Sequence, residues 1–230
     1  MKGFSLTTYQ PVGFTVCVPS ETPKRDALAT RARFLQAGFL EFYTNGFQGG
    51  SISHIVEQAG STKGALFHHF DGKQQLGYAV VDEIIGPLLL QRWLLPLVNT
   101  NDPLEALLTS FRKYVHEDIA SGHFVNGCPL NNLAQEMSPL DPGFHQRIDA
   151  LYTSWRTGIA EALARGIANG AVPSDVHPQS VAALVVAAQM GIWGTGKSSQ
   201  NATQMHTAAE GLYTYLESLR GIKHSNEEAR

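Results

Sequence analysis

The chain has 230 residues, of which 43% are hydrophobic and 16% charged, and a net charge of −3. This is material for one or two globular domains with a sizeable core. It excludes a disordered polyelectrolyte and a protein that coats nucleic acid over its whole surface. Two cysteines, Cys17 and Cys128, cannot build a disulfide framework and lie at no zinc-like spacing, so a reducing cytoplasm is expected, with no metal and no cofactor.

Residues 1–21 contain short apolar pieces interrupted by Gln10, Pro11 and Gly13, and Lys2 is their only basic residue. That is unlike a signal peptide, and a flexible N-terminal arm is expected over 1–21, with an over-long start or an arm that reaches DNA as the alternatives. A first helix starts near Pro23, with Thr22 placed to cap it, and carries Phe34, Leu35, Gly38, Phe39 and Phe42 as an apolar stripe up to Asn45-Gly46. Lys24, Arg25 and Arg31 lie on its outer side. They fit phosphate contacts and a solvated helix face equally well.

The stretch from Ser51 to Lys73 is the most informative. Ser51 is positioned to cap a short helix whose Ile52, Ile55, Val56 and Ala59 share one face, and Gly60 can end it with a positive φ. Ser61 or Thr62 can cap a second helix, which buries Ala65, Leu66 and Phe70. Two short helices joined by a tight turn are the arithmetic of a helix-turn-helix, whose second helix enters the DNA major groove. The exposed side of that helix offers a hydroxyl, a cation, small residues for close approach and an aromatic edge for a thymine methyl. The candidate DNA contacts are therefore Arg31, Ser51, Ser53, Thr62, Lys63, Gly64, Ala65, Phe67, His68, His69 and Lys73. Spacing alone also fits an ordinary helical hairpin. Charge favours the reader: six cations face four carboxylates between residues 24 and 73, in a chain that is acidic overall.

The run from Thr30 to Lys73 resembles the DNA-binding domain of the tetracycline-repressor (TetR) family of bacterial transcription regulators. The resemblance rests on Thr30-Arg31, the Asn45-Gly46-Phe47 turn, the Ile55 to Gly60 segment, and Lys63 to Phe70 followed by Lys73. Ser61 and Phe67 depart from the usual aliphatic residue and tyrosine. The resemblance is strong over roughly residues 24–80 and extends to the rest only in general layout. It implies a homodimeric, ligand-responsive regulator with a divergent ligand-binding body.

A long helix follows Asp71-Gly72, with Leu76, Val80, Val81, Ile84 and Leu88 inward and a bend or break at Gly86-Pro87. In the family this helix links reader to sensor, and here it is the candidate lever. Its apolar run Ile84 to Val98 is interrupted and too short to span a bilayer. Asp102-Pro103 opens a helix bearing Leu104, Leu107, Leu108, Phe111 and Val115. Gly127 to Met137 reads as a short helix entered through Pro129. Cys128 within it resembles a cysteine that senses electrophiles in one branch of the family, and it equally fits a small buried core residue. Asp141-Pro142 opens the clearest long helix, through Phe144, Ile148, Leu151, Tyr152, Trp155, Ile159, Leu163 and Ile167 to Asn169-Gly170. The last two helices, about 178–195 and 202–219, are rich in small residues and suit a four-helix dimer interface, with residues 194–201 as a loop between them.

The expected architecture is all-α: an N-terminal three-helix helix-turn-helix domain over 22–72, then a larger helical ligand-binding and dimerisation domain over 73–221, then a disordered tail over 222–230. The expected partners are a palindromic double-stranded DNA operator, a small-molecule inducer and a second copy bound through the two C-terminal helices. Candidate lining for the inducer is Trp93, Phe111, Tyr114, Cys128, Met137, Tyr152, Trp155, Gln189 and Trp193. Tyr152 and Trp155 fit plain core as well. No phosphate loop, nucleophile elbow or metal-spaced histidine pair marks an enzyme, because His68 and His69 are adjacent and point apart. The alternatives are a helical ligand-binding or protein-interaction protein that does not read DNA, and a thiol-based sensor acting through Cys128.

Overall fold

The structure, a computed structural model, describes the backbone of residues 5–9, 14–18 and 23–220 and the side chains of residues 27–220. The expectations for Thr22, for the side chains of Cys17, Lys24 and Arg25, and for the tail beyond 220 lie outside these residues. Within the segment where the sequence predicts a flexible arm, β1 (Ser5–Tyr9) and β2 (Phe14–Val18) pair antiparallel, with Tyr9 opposite Phe14. Two runs rich in threonine, valine and aromatic residues, separated by Pro11 and Gly13, suit such a hairpin.

The helices follow in order. α1 (Pro23–Asn45) ends at Gly46, whose φ is +75°. α2 (Ile52–Gln58) is capped by Ser51, which accepts from His54 N at 3.4 Å, and Gly60 with φ +59° closes its far end. α3 (Lys63–His69) is capped by Thr62, which accepts from Ala65 N at 3.1 Å.

From Lys73 to Val98 the chain stays helical through α4 (Lys73–Val80), a π-turn over Val81–Ile85, α5 (Gly86–Leu89), a second π-turn over Leu90–Leu94, and α6 (Leu95–Val98). The helix does not break at Gly86-Pro87; it widens there. Gly86 N–H donates to Val81 O and Leu95 N–H to Leu90 O, each five residues back and each just ahead of a proline. A proline ring clashes with the carbonyl four residues earlier and offers no N–H. One wide turn relieves both problems without ending the helix.

α7 (Pro103–Ala120) is capped by Asp102 through Glu105 N at 3.0 Å. A 3₁₀ turn at His123–Asn126 leads to α8 (Pro129–Met137), and α9 (Pro142–Ala168) starts on Asp141, which accepts from Phe144 N at 2.8 Å. α10 (Pro178–Ser199) runs past Thr195, so most of the loop expected over 194–201 is helix. Gln200, with φ +51°, supplies the left-handed cap one turn later, and Gly196 is helical because Met205 fills the place of a side chain there, its sulfur 3.1 Å from where a Cβ would sit. α11 (Ala202–Ser218) is capped by Asn201.

Two compact units result. One gathers the described residues up to Pro87 with Pro129–Ile148, and the other gathers Leu88–Cys128 with the described residues from Asp149 onward. The sequence boundary at residue 72 thus ends the helix-turn-helix but not the compact unit that contains it. In the first unit Phe34, Phe39, Phe42, Ile55, Leu66, Phe70 and Leu76 form the core, and Phe144 from the first turn of α9 closes it, with ring centroids 4.7 Å from Phe47 and 4.9 Å from Tyr78. In the second unit α11 packs on α7 and α10 around Leu104, Leu107, Phe111, Ile159, Leu163, Val185, Met205 and Leu216.

Candidate functional site

The reader is held in shape by a carboxylate. Glu41 of α1, 3% exposed, accepts Ser51 N at 2.8 Å and His54 Nδ1–H at 2.6 Å, so one buried side chain fixes the entry into α2 against α1. Burial raises the pKa of Glu41, but the Ser51 amide, His54 and the Asn45 side chain outweigh it and hold the carboxyl below its ordinary value. On the opposite side of the Gly46 turn, Glu136 of α8 accepts Phe47 N at 2.8 Å and Gln48 N at 2.7 Å. Asp141 receives the Tyr78 hydroxyl at 2.7 Å and the Gln74 side-chain amide, and Arg147 pairs with Asp82 at 3.0 Å. These contacts tie α8 and the start of α9 to the helices that carry the reader.

On α3, Leu66 is buried, while Lys63, Gly64, Phe67 and His68 are exposed, as are Thr62, Ser51 and Ser53. Phe67 presents 52% of its surface. α3 carries no acidic residue. This is a compact, cationic to neutral ridge with an aromatic ring at its crest, a shape and charge suited to a groove lined by base edges. Three other candidates already have partners. Arg31 forms two hydrogen bonds with Glu83, at 2.5 and 2.6 Å, and lies over the Phe70 ring. Lys73 Nζ donates to Gln48 O at 3.0 Å. His69 is half-buried, its ring 6.2 Å from that of Phe34, and burial, then the nearby His68 and Arg31, lower its pKa and favour the neutral ring. Ala65 is half-buried at the helix base.

The second unit holds an aromatic cluster. Trp93, on the second π-turn, lies 4.7 Å from Phe111, 5.4 Å from Tyr114, 5.6 Å from Trp155 and 5.9 Å from Trp193, centroid to centroid. Asp118, 6% exposed, accepts Trp193 Nε1–H at 2.7 Å and pairs with Arg92 at 3.3 Å. Arg92 in turn covers the Tyr114 ring. Tyr152 joins α9 to α10 through Met190, and burial, with Cys128 close by, pushes its pKa up. Of the nine residues read from the sequence as lining, Met137 is buried in the first unit and the others belong to the second. Cys128 is buried at the start of α8, an environment that disfavours thiolate chemistry. Among the described residues no group of histidine, cysteine and carboxylate side chains is arranged to hold a metal, and no helix is long and apolar enough to cross a membrane.

Residues 34–80 match the family model described as bacterial regulatory proteins of the tetR family, and residues 101–212 match the tetracyclin repressor-like C-terminal domain. The chain belongs to the TetR family of bacterial transcriptional regulators. It is 31% identical to an uncharacterized HTH-type transcriptional regulator of Lactococcus lactis, over 58% of this chain and 68% of that protein. It is 23% identical to the transcriptional repressor DhaR of a Mycobacterium species, over 70% of this chain and 79% of that one. A solved TetR transcriptional regulator from Chloroflexus aurantiacus superposes with a TM-score of 0.73 at 27% identity, over 84% of this chain and 96% of that one.

This TetR-family protein is thus a DNA-binding transcriptional regulator and not an enzyme. Glu41 and Glu136 escaped the sequence reading, which took Asp141 only as the opening of a helix. Glu41 left a trace, since it sits seven residues after Phe34 and three after Gly38, on the apolar face of its own helix, where a lone carboxylate needs partners. Glu136 left none, and neither did the link from Asp141 to Tyr78, because the partners are 89 and 63 residues away.

Proposed function

We propose that the protein is a cytoplasmic, homodimeric repressor that leaves a palindromic operator when a small-molecule inducer binds in the second unit. The exposed, acid-free ridge of α3 carries the DNA-reading half of this proposal, with Thr62, Lys63, Gly64, Phe67 and His68 at the base edges and Ser51, Ser53 and, once released from their present partners, Arg31, His69 and Lys73 on phosphates. The relative named a repressor supports the direction of control.

The outward faces of α10 and α11 support the dimer. Ser180, Ala183, Leu184, Ala187, Gly191 and Thr195 on α10, and Thr207, Ala208, Gly211 and Thr214 on α11, are exposed, and a Cβ added at Gly191, Gly194 or Gly211 would meet nothing within 4 Å. Lys197 is the only charged residue in α10. The charge-poor outer face of α10, with the small residues of α11 beside the exposed Glu210, suits burial against a copy of itself, which sets two readers on successive major grooves about 34–36 Å apart. The inducer acts by preferring a dimer whose reader spacing no longer fits, with the helix leaving Lys73 as the lever. A coupling of about 1–3 kcal/mol changes DNA occupancy roughly 5- to 150-fold.

The experiment is binding of the full chain to its own upstream DNA, titrated with salt, alongside Lys63→Ala. Tight binding to a palindromic site, falling steeply with salt and weakened by about 1–3 kcal/mol in the variant if Lys63 reads a guanine, is the expected result. Binding indifferent to sequence and to Lys63 would leave a helical ligand-binding or interaction protein as the better reading.

A further inference from the structure

Three polar groups on α9 and α10 in the second unit are short of hydrogen-bond partners. Trp155 Nε1 and Gln189 Oε1 are buried without any partner among the described residues, their side chains 1% and 3% exposed. The Tyr152 hydroxyl donates to Met190 Sδ at 3.1 Å, and a thioether is a weak acceptor. Buried polar atoms in native proteins are paired almost without exception, so two orphans and one poorly served hydroxyl call for a reason.

Their placement supplies it. Tyr152 and Trp155 are three residues apart and leave the same face of α9. Gln189 adjoins Met190 and lies one turn before Trp193 on α10. Trp93 joins the two helices, stacked on Trp155 at 5.6 Å and edge-on to Trp193 at 5.9 Å. Contacts join Tyr152 to Met190 and Trp193 through Trp93 to Trp155, and helical spacing of three or four residues, Trp155 with Tyr152 on α9 and Met190 and Gln189 with Trp193 on α10, completes a circuit. Trp93 itself stands on a π-turn, a widening of the kind that recurs at functional sites. Asp118 is already held by Trp193 Nε1 and Arg92, and Arg156 is the cation whose charge reaches the Tyr152 hydroxyl.

We infer that this circuit binds a small, uncharged aromatic molecule whose polar end both accepts and donates a hydrogen bond, as a carboxamide or a phenol does. Its acceptor takes the Trp155 N–H, its donor serves Gln189 Oε1, and its ring lies against the indoles. A carboxylate is disfavoured because it has no proton to donate to Gln189 Oε1, and a hydrocarbon because it leaves both buried polar atoms unserved. The assignment rests on reading the second unit as the ligand-binding part of the regulator.

All three tryptophans of the chain belong to this circuit, so the intrinsic fluorescence of the full-length protein reports on it directly. The test titrates the protein with benzamide, phenol, toluene and benzoate. Benzamide or phenol is expected to give a saturable change at least about tenfold tighter than toluene or benzoate. Gln189→Leu is expected to weaken that binding about tenfold while leaving toluene unaffected. Trp155→Phe serves as the second variant, and circular dichroism confirms that each keeps its helices. Equal affinity for all four probes, an unchanged affinity in both variants, or no response to any probe would overturn the inference; the last result would assign the two polar atoms to ordered water. Operator binding measured on the same samples separates the two readings. Sequence-specific DNA binding without a probe response removes only the ligand class, whereas its absence removes the regulator reading beneath it.

Discussion

The carboxylate of Glu136 accepts the backbone N–H of Phe47 at 2.8 Å, and with its other oxygen that of Gln48 at 2.7 Å. A side chain of α8 thereby fastens the turn that joins α1 to α2, with Gly46 at φ +75° directly beneath it. Glu136→Ala leaves both amides without this partner and is expected to destabilise the reader-containing unit by about 1–3 kcal/mol. Glu136→Gln, which keeps one acceptor, should lose less. Denaturant melts of the three proteins check the order, and equal stability of all three would show that water replaces the carboxylate at no cost.

Acid should loosen the reader through Glu41. Its folded pKa lies below the ordinary carboxyl value, so the folded state binds the proton less readily than the unfolded chain. The stability gained from this group is complete above the unfolded value of about 4.3 and is lost as pH falls through the folded value. Thermal melts of the wild type should therefore be insensitive to this group between pH 5 and 7 and drop below about pH 4. Glu41→Gln should flatten that acid limb while lowering stability at neutral pH, where the Ser51 amide and His54 lose their anionic partner.

Gly77 marks a close approach of two aromatic rings to a helix backbone in the first unit. A Cβ there would stand 2.6 Å from Phe144 Cζ and 2.6 Å from Phe47 Cε2. Gly77→Ala overpacks this three-way junction and is expected to cost about 1–3 kcal/mol, despite the better helix propensity of alanine. A rise in melting temperature would show that the two rings move aside freely.

The uncharged outer face of α10 gives a test of assembly. Ala187→Glu puts a carboxylate in the middle of the proposed dimer seam and should yield a monomer by sedimentation, with α-helical content unchanged. Operator affinity should fall roughly 100-fold or more, because the second reader no longer binds as part of the same molecule. A variant that remains dimeric would place the interface elsewhere.

Local chemistry determined much of this protein before any tertiary contact. Ser51, Thr62, Asp102 and Asn201 cap the helices they precede, and Gly46, Gly60 and Gly170 adopt the positive φ that ends others. These signals act over three or four residues, so sequence spacing alone specifies them, and the exposed ridge of α3 follows from the same periodicity. The continuous helix from Lys73 to Val98 was not legible, because Pro87 and Pro96 signal breaks and only the surrounding packing decides that a π-turn is the cheaper answer. Nor was the extension of α10 through Gly194 and Gly196, where contact with Met205 offsets poor helix propensity. The alliance of α8 with the reader and the ring of under-served polar atoms around Trp93 depend on residues dozens of positions apart. Tertiary structure alone decided them, since burial and hydrogen-bond satisfaction are properties of neighbours in space.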